Sequence, residues 1–277
     1  MEFFKIIIFL IILVIFTSCS NQVDKKSEIK ENSLELQVYE AYKEGIDSLE
    51  SGDVLFAAKK FNEAEILYPQ STWAPRSALM AAYSYYIQDY YGDAIAELER
   101  YLIVYPLHKN IDYAYYLLSL CYYEQIVDET RDLQSINNAK KNFQIVLDKF
   151  PNTDYALDAS FKIDLIDDIL ASKEIYLGRY YFDKKKWIAS INRFKSVVDN
   201  YNTTIYVEEA LHRLVEIYYT LGLIDESKKY AQLLGYNYQS SRWYERTYAI
   251  FDKSYEENKK NNLKKKSKVI KKIKSLF

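Results

Sequence analysis

The segment AAKKFNEAEILYP, from Ala57 to Pro69, decides the fold. Its apolar positions Ala57, Phe61 and Ala64 recur at i, i+4 and i+7, the stripe of one helix face. Pro69 then stops the helix, because it has no N–H to donate and its ring clashes with the preceding turn. Upstream, Gly45 lies on a second helical stretch, Leu34 to Leu49. Two helices approach closely only where the side chains between them are small, so Gly45 and Ala57/Ala64 mark the two faces of one tight helix pair.

The same spacing recurs along the chain. Ala82, Tyr85, Ala94, Leu98 and Pro106 repeat it, with the two prolines 37 residues apart. Ser119, Tyr122, Ala139, Phe143 and Pro151 form a third copy, with extra residues from Asp128 to Ser135 between its helices. Gly178, Tyr181, Ser190, Phe194 and Val197 form a fourth, in which Asn202 replaces the proline. Val215, Tyr218, Ser227, Ala231 and Leu234 form a weaker fifth. This is the tetratricopeptide pattern. A single pair cannot bury its apolar face alone, so the units must stack. The expected fold is all-α, a right-handed solenoid of about five tetratricopeptide-like helix pairs.

Composition agrees and narrows the chemistry. The 277 residues are 49% hydrophobic, with only six glycines and four prolines, as suits a mostly helical chain. Catalysis is poorly provided for. The two histidines, His108 and His212, have no ligand-spaced neighbours, so no metal site is expected. Cys121 sits in the apolar run LLSLCYY and reads as a small buried hydrophobe. Asp164, Asp167 and Asp168 share helical spacing and read as a solvated face. There is no glycine-rich phosphate loop. No enzyme activity and no cofactor are expected.

The chain starts MEFFKIIIFLIILVIFTSCS. Ile6 to Phe16 is an unbroken apolar run, too short for a comfortable membrane span. It reads as the core of a signal peptide, 1–18. Phe16-Thr17-Ser18-Cys19 is similar to the bacterial lipoprotein signal, with Phe16 where leucine is usual, and makes Cys19 the expected lipidation site. More than one acyl chain holds a protein stably, at about 0.8 kcal/mol per buried methylene. Ser20 after the cysteine is not a signal for inner-membrane retention. Residues 19–33 read as a lipidated flexible tether, 34–153 as repeats one to three, and 154–258 as a long helix, repeats four and five and a capping helix. Asp154 to Phe182 is expected to be one helix of about 45 Å, at about 1.5 Å per residue. The tail, 259–277, has nine lysines and no acid, so the rest of the chain, at −2 less these nine, carries −11. Val269, Ile270, Ile273, Leu276 and Phe277 fall on one helix face of that tail. A solvated end and a basic amphipathic helix both fit it. No nucleic-acid partner is expected.

Particular stretches narrow the binding role. YPLHKNIDY, Tyr105 to Tyr113, resembles the junction between the second and third repeats of the BamD family, lipoproteins of the outer-membrane β-barrel assembly machine. Phe150-Pro151-Asn152-Thr153-Asp154-Tyr155 with Asp158-Ala159 is similar to that family's next junction, and Trp187 to Arg193 to its fourth-repeat segment. LGYNYQSSRWY, from Leu234, resembles the ending of alphaproteobacterial members. The likeness covers the signal peptide and nearly all of Leu34 to Phe251. It implies an anchor in the inner leaflet of the outer membrane, facing the periplasm. It implies binding of the POTRA region of a BamA-like barrel subunit through the C-terminal repeats, alongside other assembly-machine lipoproteins. It also implies reception of unfolded β-barrel precursors by the N-terminal repeats. Asn192 and Arg193 match the Asn-Arg position that the family uses against the barrel subunit, although a local salt bridge is another reading of Arg193. The competing function is a periplasmic repeat lipoprotein that scaffolds cell-wall or division proteins.

Tyrosine is the unusual residue, 29 in all. In stacked repeats the first helix of each pair lines the concave surface. Tyr39 and Tyr42, Tyr83 and Tyr86, and Tyr113, Tyr116 and Tyr123 are expected there. Such rings stack on apolar and aromatic client side chains while their hydroxyls stay hydrated. Tyr85 and Tyr122 hold the position between helices, where packing is the simpler role.

Overall fold

The computed structural model describes residues 24–126 and 133–252. These residues form eleven α-helices and no strand. They divide into two compact units, one running to Gln125 with Asp148–Phe150, the other Ile126–Leu147 with everything from Pro151. The division falls inside the third repeat, not at 153/154 where the sequence suggested a boundary.

The first unit holds α1 (Asp24–Glu50), α2 (Val54–Leu67), α3 (Ala74–Tyr86), α4 (Tyr91–Val104) and α5 (Ile111–Tyr123). Each helix packs on its successor, and α3 also packs on α5. Helix α1 begins ten residues before the expected Leu34, so most of the presumed tether 19–33 is helical. The reason is local: DKKSEIKENS contains no glycine or proline and is rich in the helix formers Lys and Glu. Gly52, at φ +87°, turns the chain out of α1, a conformation that costs glycine little. Asp53 then caps α2 by accepting the Phe56 N–H at 3.2 Å. The close approach expected at Gly45 is present, since a Cβ there would lie 2.7 Å from the Phe61 ring. Ala57, Phe61, Ala64, Ala82, Ala94 and Leu98 are fully buried.

The second unit holds most of α6 (Gln134–Lys149), then α7 (Asp154–Asp183), α8 (Trp187–Asn200), α9 (Val207–Thr220), α10 (Ile224–Asn237) and α11 (Arg242–Phe251). Helix α7 is the long helix that the sequence suggested, 30 residues, opened by Thr153 accepting the Ala156 N–H. Helices α7 to α10 pack in succession, and α11 covers α9 and α10. A Cβ on Gly178 would lie 2.5 Å from the Phe194 ring. The serines at the small position do more than save space. Ser190 donates its hydroxyl to the Gly178 carbonyl at 2.9 Å, and Ser227 donates to the Val215 carbonyl at 3.0 Å. Each bond spans twelve residues and ties the second helix of a pair to the first.

The signal peptide, Cys19, the insertion at 127–132 and the tail 259–277 lie outside the described residues, as does the expected extension of α11 to 258. Among the described residues, no helix is long and apolar enough to cross a membrane.

Candidate functional site

The first helices of the first two pairs and the start of α5 enclose a cleft of about 500 Å³ within the first unit. Tyr42 comes from α1, Arg76, Leu79, Met80 and Tyr83 from α3, and Lys109, Asn110 and Tyr113 from the end of the α4–α5 loop and the start of α5. Three of the seven expected groove tyrosines, Tyr42, Tyr83 and Tyr113, therefore share one wall system. Tyr42 is positioned by Phe61 and Trp73, whose ring centroids lie 5.3 and 5.0 Å away. Burial raises its phenol above the usual value, while the Arg76 charge pulls it down.

The other four do not line the cleft. Tyr39 is 45% exposed and packs edge-on to Trp73. Tyr86 packs on Tyr91 at 6.1 Å. Tyr116 and Tyr123 are half-buried. Tyr86 and Tyr116 stand about 4.5 Å further along their helices than Tyr83 and Tyr113, past the last residue that each helix gives to the cleft. Tyr85 and Tyr122 pack against the core of α3 to α5, as the sequence suggested.

The titratable residues outside the cleft serve the fold. Cys121 is fully buried, and burial pushes its thiol up to about 12, so no thiolate nucleophile forms there. His212 is buried, with Nδ1 2.8 Å from the Thr247 hydroxyl and Nε2 3.4 Å from Glu216, and pins α11 to α9. Asp167 is not part of a solvated face: it pairs with Lys140 and joins α6 to α7. The helical spacing of the three aspartates could not reveal a partner 27 residues away. No group of three or more potential metal ligands exists among the described residues.

His108 sits beside the cleft. Its Nδ1 lies 2.7 Å from the hydroxyl of fully buried Tyr101 and receives the Asn110 N–H at 3.4 Å. A backbone N–H can only donate, so Nδ1 is an acceptor and the neutral ring carries its proton on Nε2. Burial, and then the charges of Lys109 and Arg76, hold the imidazole below its usual value. The unfolded chain therefore binds more protons as pH falls. His108 contributes stability that is complete above about pH 6.5 and is lost as pH falls through the folded value. Urea titrations should show wild type more stable than His108→Gln at pH 7.5, with the gap narrowing at pH 5. A constant gap would remove the linkage.

In the second unit, Arg193 on α8 reaches Glu174 on α7 at 3.1 and 3.3 Å. The local bridge thus exists, but the Arg193 side chain stays 41% exposed and Asn192 beside it is exposed. Sequence reading missed a second pair, Arg179 with Glu209, whose carboxylate is the more buried of the two. Arg179 Nε donates to Glu209 at 2.7 Å and Nη2 completes the fork, joining α7 to α9. It also missed the cations of the cleft, Arg76 and Lys109, because only aromatic residues were counted toward the groove.

The YfiO family, described as outer membrane lipoprotein, matches residues 35–233. The outer membrane protein assembly factor BamD of Rickettsia prowazekii is 43% identical over 225 residues, 81% of this chain and 90% of that protein. That of Caulobacter vibrioides is 39% identical over 234 residues, 84% and 76% of the two chains. A solved tetratricopeptide repeat protein from Parabacteroides merdae superposes with a TM-score of 0.39 at 12% identity, over 78% of this chain and 74% of that one. The matched span runs from α1 through most of α10 and takes in both the cleft and Arg193, and the chain belongs to the YfiO family of outer membrane lipoproteins, which includes the BamD assembly factors.

Proposed function

We propose that the protein is a non-enzymatic assembly factor that takes part in placing β-barrel proteins into the outer membrane. The observation that carries this reading is the 43% identity to an outer membrane protein assembly factor over 90% of that protein's length. In this reading lipid on Cys19 holds the chain at the inner leaflet, facing the periplasm. The repeats in 34–153 receive unfolded clients, and 154–258 engages the POTRA region of a BamA-like barrel subunit through Asn192 and Arg193. The mechanism is binding: one surface holds the barrel subunit and another the client. An exposed guanidinium with Glu174 at one edge keeps N–H groups for an acidic residue of the partner, which supports this assignment.

The test is a pull-down titration with a POTRA-region fragment. Arg193→Ala should weaken the complex by about 2 kcal/mol, the low end for truncating one partner of a buried charge pair, because Glu174 already shares the charge. Its effect on the isolated protein should stay within about 1 kcal/mol, the range of partly exposed pairs. Unchanged affinity with unchanged fold would exclude Arg193. An equal loss of stability in the isolated protein would make the residue structural.

A further inference from the structure

Helix α11, the last helix of the described residues, carries cations that no neighbouring acid neutralises. Three guanidinium groups stand over its Trp243 ring: Arg242 at 5.1 Å and Arg246 at 4.9 Å from the centroid, both on α11, and Arg213 of α9 at 5.7 Å. The His212 ring packs against the same indole, with centroids 5.1 Å apart. Arg213 is held by Glu209 and Glu216. Arg242 and Arg246 are exposed and, among the described residues, hold no carboxylate. They sit at i and i+4, so their charges stand side by side, one turn apart. Tyr248 and Phe251 of the same helix are exposed as well. Cations beside amphipathic rings are the chemistry of a bilayer headgroup region. The sequence beyond α11 carries that chemistry further. Glu257 is the last acid of the chain, and nine lysines follow in 259–277. Projected as a helix at about 100° per residue, Leu263, Val269, Ile270, Ile273, Leu276 and Phe277 fall within one arc. Of the seven lysines from Lys264 on, only Lys266 falls inside that arc. A merely solvated end has no reason to sort its lysines from its apolar residues.

We propose that α11 and the tail 259–277 form a second membrane-contact surface, one that takes anionic phospholipid headgroups. The tail lies in the bilayer interface as an amphipathic helix, and Arg242 and Arg246 meet lipid phosphate beside it. The client and barrel-subunit assignments are not needed for this. A bilayer surface is the occupant that suits both halves of the pattern, because it offers diffuse negative charge directly above an apolar medium. Lysine is a hydrated point charge on a flexible stem, suited to many headgroups, whereas a particular carboxylate is better held by the arginine fork. The tail has nine lysines and no arginine. The clefts of the first unit do not suit an apolar helix face edged with lysine. One is rimmed by Arg76 and Lys109, and in the other Glu65 and Glu97 already hold Arg100. Cys19 and the tail lie at opposite ends of the sequence, so lipid would hold the chain at two points. With the chain kept at a membrane by its anchor, the tail meets headgroups at high effective concentration, and a weak contact suffices.

The experiment uses the chain from residue 19 onward with Cys19→Ser, so that no acyl chain contributes. The probes are vesicles of phosphatidylethanolamine with about one-quarter phosphatidylglycerol, and neutral vesicles of phosphatidylcholine. Co-flotation should show binding to the anionic vesicles about a hundredfold tighter than to the neutral ones, and raised salt should shrink the difference. Circular dichroism should show helicity rising on the anionic vesicles, and deletion of 259–277 should abolish both the rise and the binding. Lys264→Gln/Lys265→Gln/Lys268→Gln should weaken binding about a hundredfold, since each lysine near an anionic surface contributes about fivefold. Ile273→Ser/Phe277→Ser keeps every charge and should still weaken binding by about tenfold or more, because the apolar face no longer enters the interface. Arg242→Gln/Arg246→Gln should weaken it by about tenfold, and Arg242→Lys/Arg246→Lys should restore most of that, which a loss of stacking on Trp243 alone would not allow. Equal binding to both vesicles, no binding, or binding that survives the deletion would overturn the proposal. Arginine variants that bind like the parent chain would overturn the part given to α11. If vesicles were not bound but the deletion lowered thermal stability, the tail would pack on its own chain. If the deletion instead weakened binding to a POTRA-region fragment, the tail would serve a protein partner. Either result overturns membrane contact and leaves the assembly-factor reading standing.

Discussion

Gly178→Leu should cost the second unit about 3 kcal/mol, the upper end of what overpacking a core costs. The local helix would gain, because leucine is about 0.8–1 kcal/mol better than glycine inside a helix. Packing decides against it. A Cβ at this position meets the Phe194 ring at 2.5, 2.8 and 2.9 Å, and Phe194 is fully buried among Ile175, Val197 and Leu214. The ring has nowhere to withdraw, and the Ser190 bond to the Gly178 carbonyl fixes the helix spacing. Gly178→Ala should be milder, about 1–2 kcal/mol, since propensity offsets part of the clash. Gly92→Ala is the control: nothing lies within 4 Å of its Cβ, so it should stabilise by up to about 1 kcal/mol. Urea unfolding followed by circular dichroism measures all three. A Gly178→Ala variant as stable as Gly92→Ala would show that the close approach is not structurally required. Pairing Gly178→Leu with Phe194→Ala should give a loss smaller than the sum of the single losses, because the two side chains compete for one space.

That approach was legible in the sequence because it is a constraint on size. Only small residues fit where two helices nearly touch, so Gly45, Ala82 and Gly178 announce the pairs. Their partners Phe61, Leu98 and Phe194 follow at fixed intervals. Distances set by chemistry rather than size were not legible. Ser190 and Ser227 read as small residues, and only the structure shows their hydroxyls satisfying a carbonyl on the facing helix. The start of α1 was hidden because a polar stretch without a buried face has no periodicity to read. The pairs Glu65–Arg100 and Arg179–Glu209 join residues 35 and 30 positions apart, about one repeat, and neither pair occupies a pattern position. The site was half legible for a related reason. Tyrosine abundance pointed to the first helices, but counting along a helix does not say which ring turns toward a cleft. That depends on the neighbouring helices, which brought Tyr42, Tyr83 and Tyr113 together with Arg76 and Lys109.

Arg100→Ala should lower the stability of the first unit by about 3 kcal/mol, although the residue stands on the outer helix of its repeat. Its partner Glu65 is only 6% exposed. Arg100 grips that carboxylate with Nη1 at 2.7 Å and Nη2 at 2.6 Å, and the Tyr105 hydroxyl donates to it at 2.7 Å. Glu65 lies on α2, and Arg100 and Tyr105 lie on and just after α4, so the cluster ties adjacent repeats. Removing the guanidinium leaves a buried carboxylate with one hydroxyl for company. Breaking a fully buried pair costs about 3–5 kcal/mol, and the lower figure applies because the Arg100 side chain is 40% exposed and water can follow its loss. Glu97, which also accepts from Arg100, would be freed into solvent at little cost. Replacing both partners, Glu65→Met with Arg100→Leu, should restore most of the loss, since no charge then remains to be desolvated. Lys229→Ala tests the opposite limit: its pair with Glu226 is exposed on both sides, so its removal should leave stability essentially unchanged. If Arg100→Ala lost no more than Lys229→Ala, burial of Glu65 would not be what makes the pair matter. If the double replacement were as unstable as Arg100→Ala, the loss would come from packing around the two stems, and the fork itself would contribute little to holding the two repeats together.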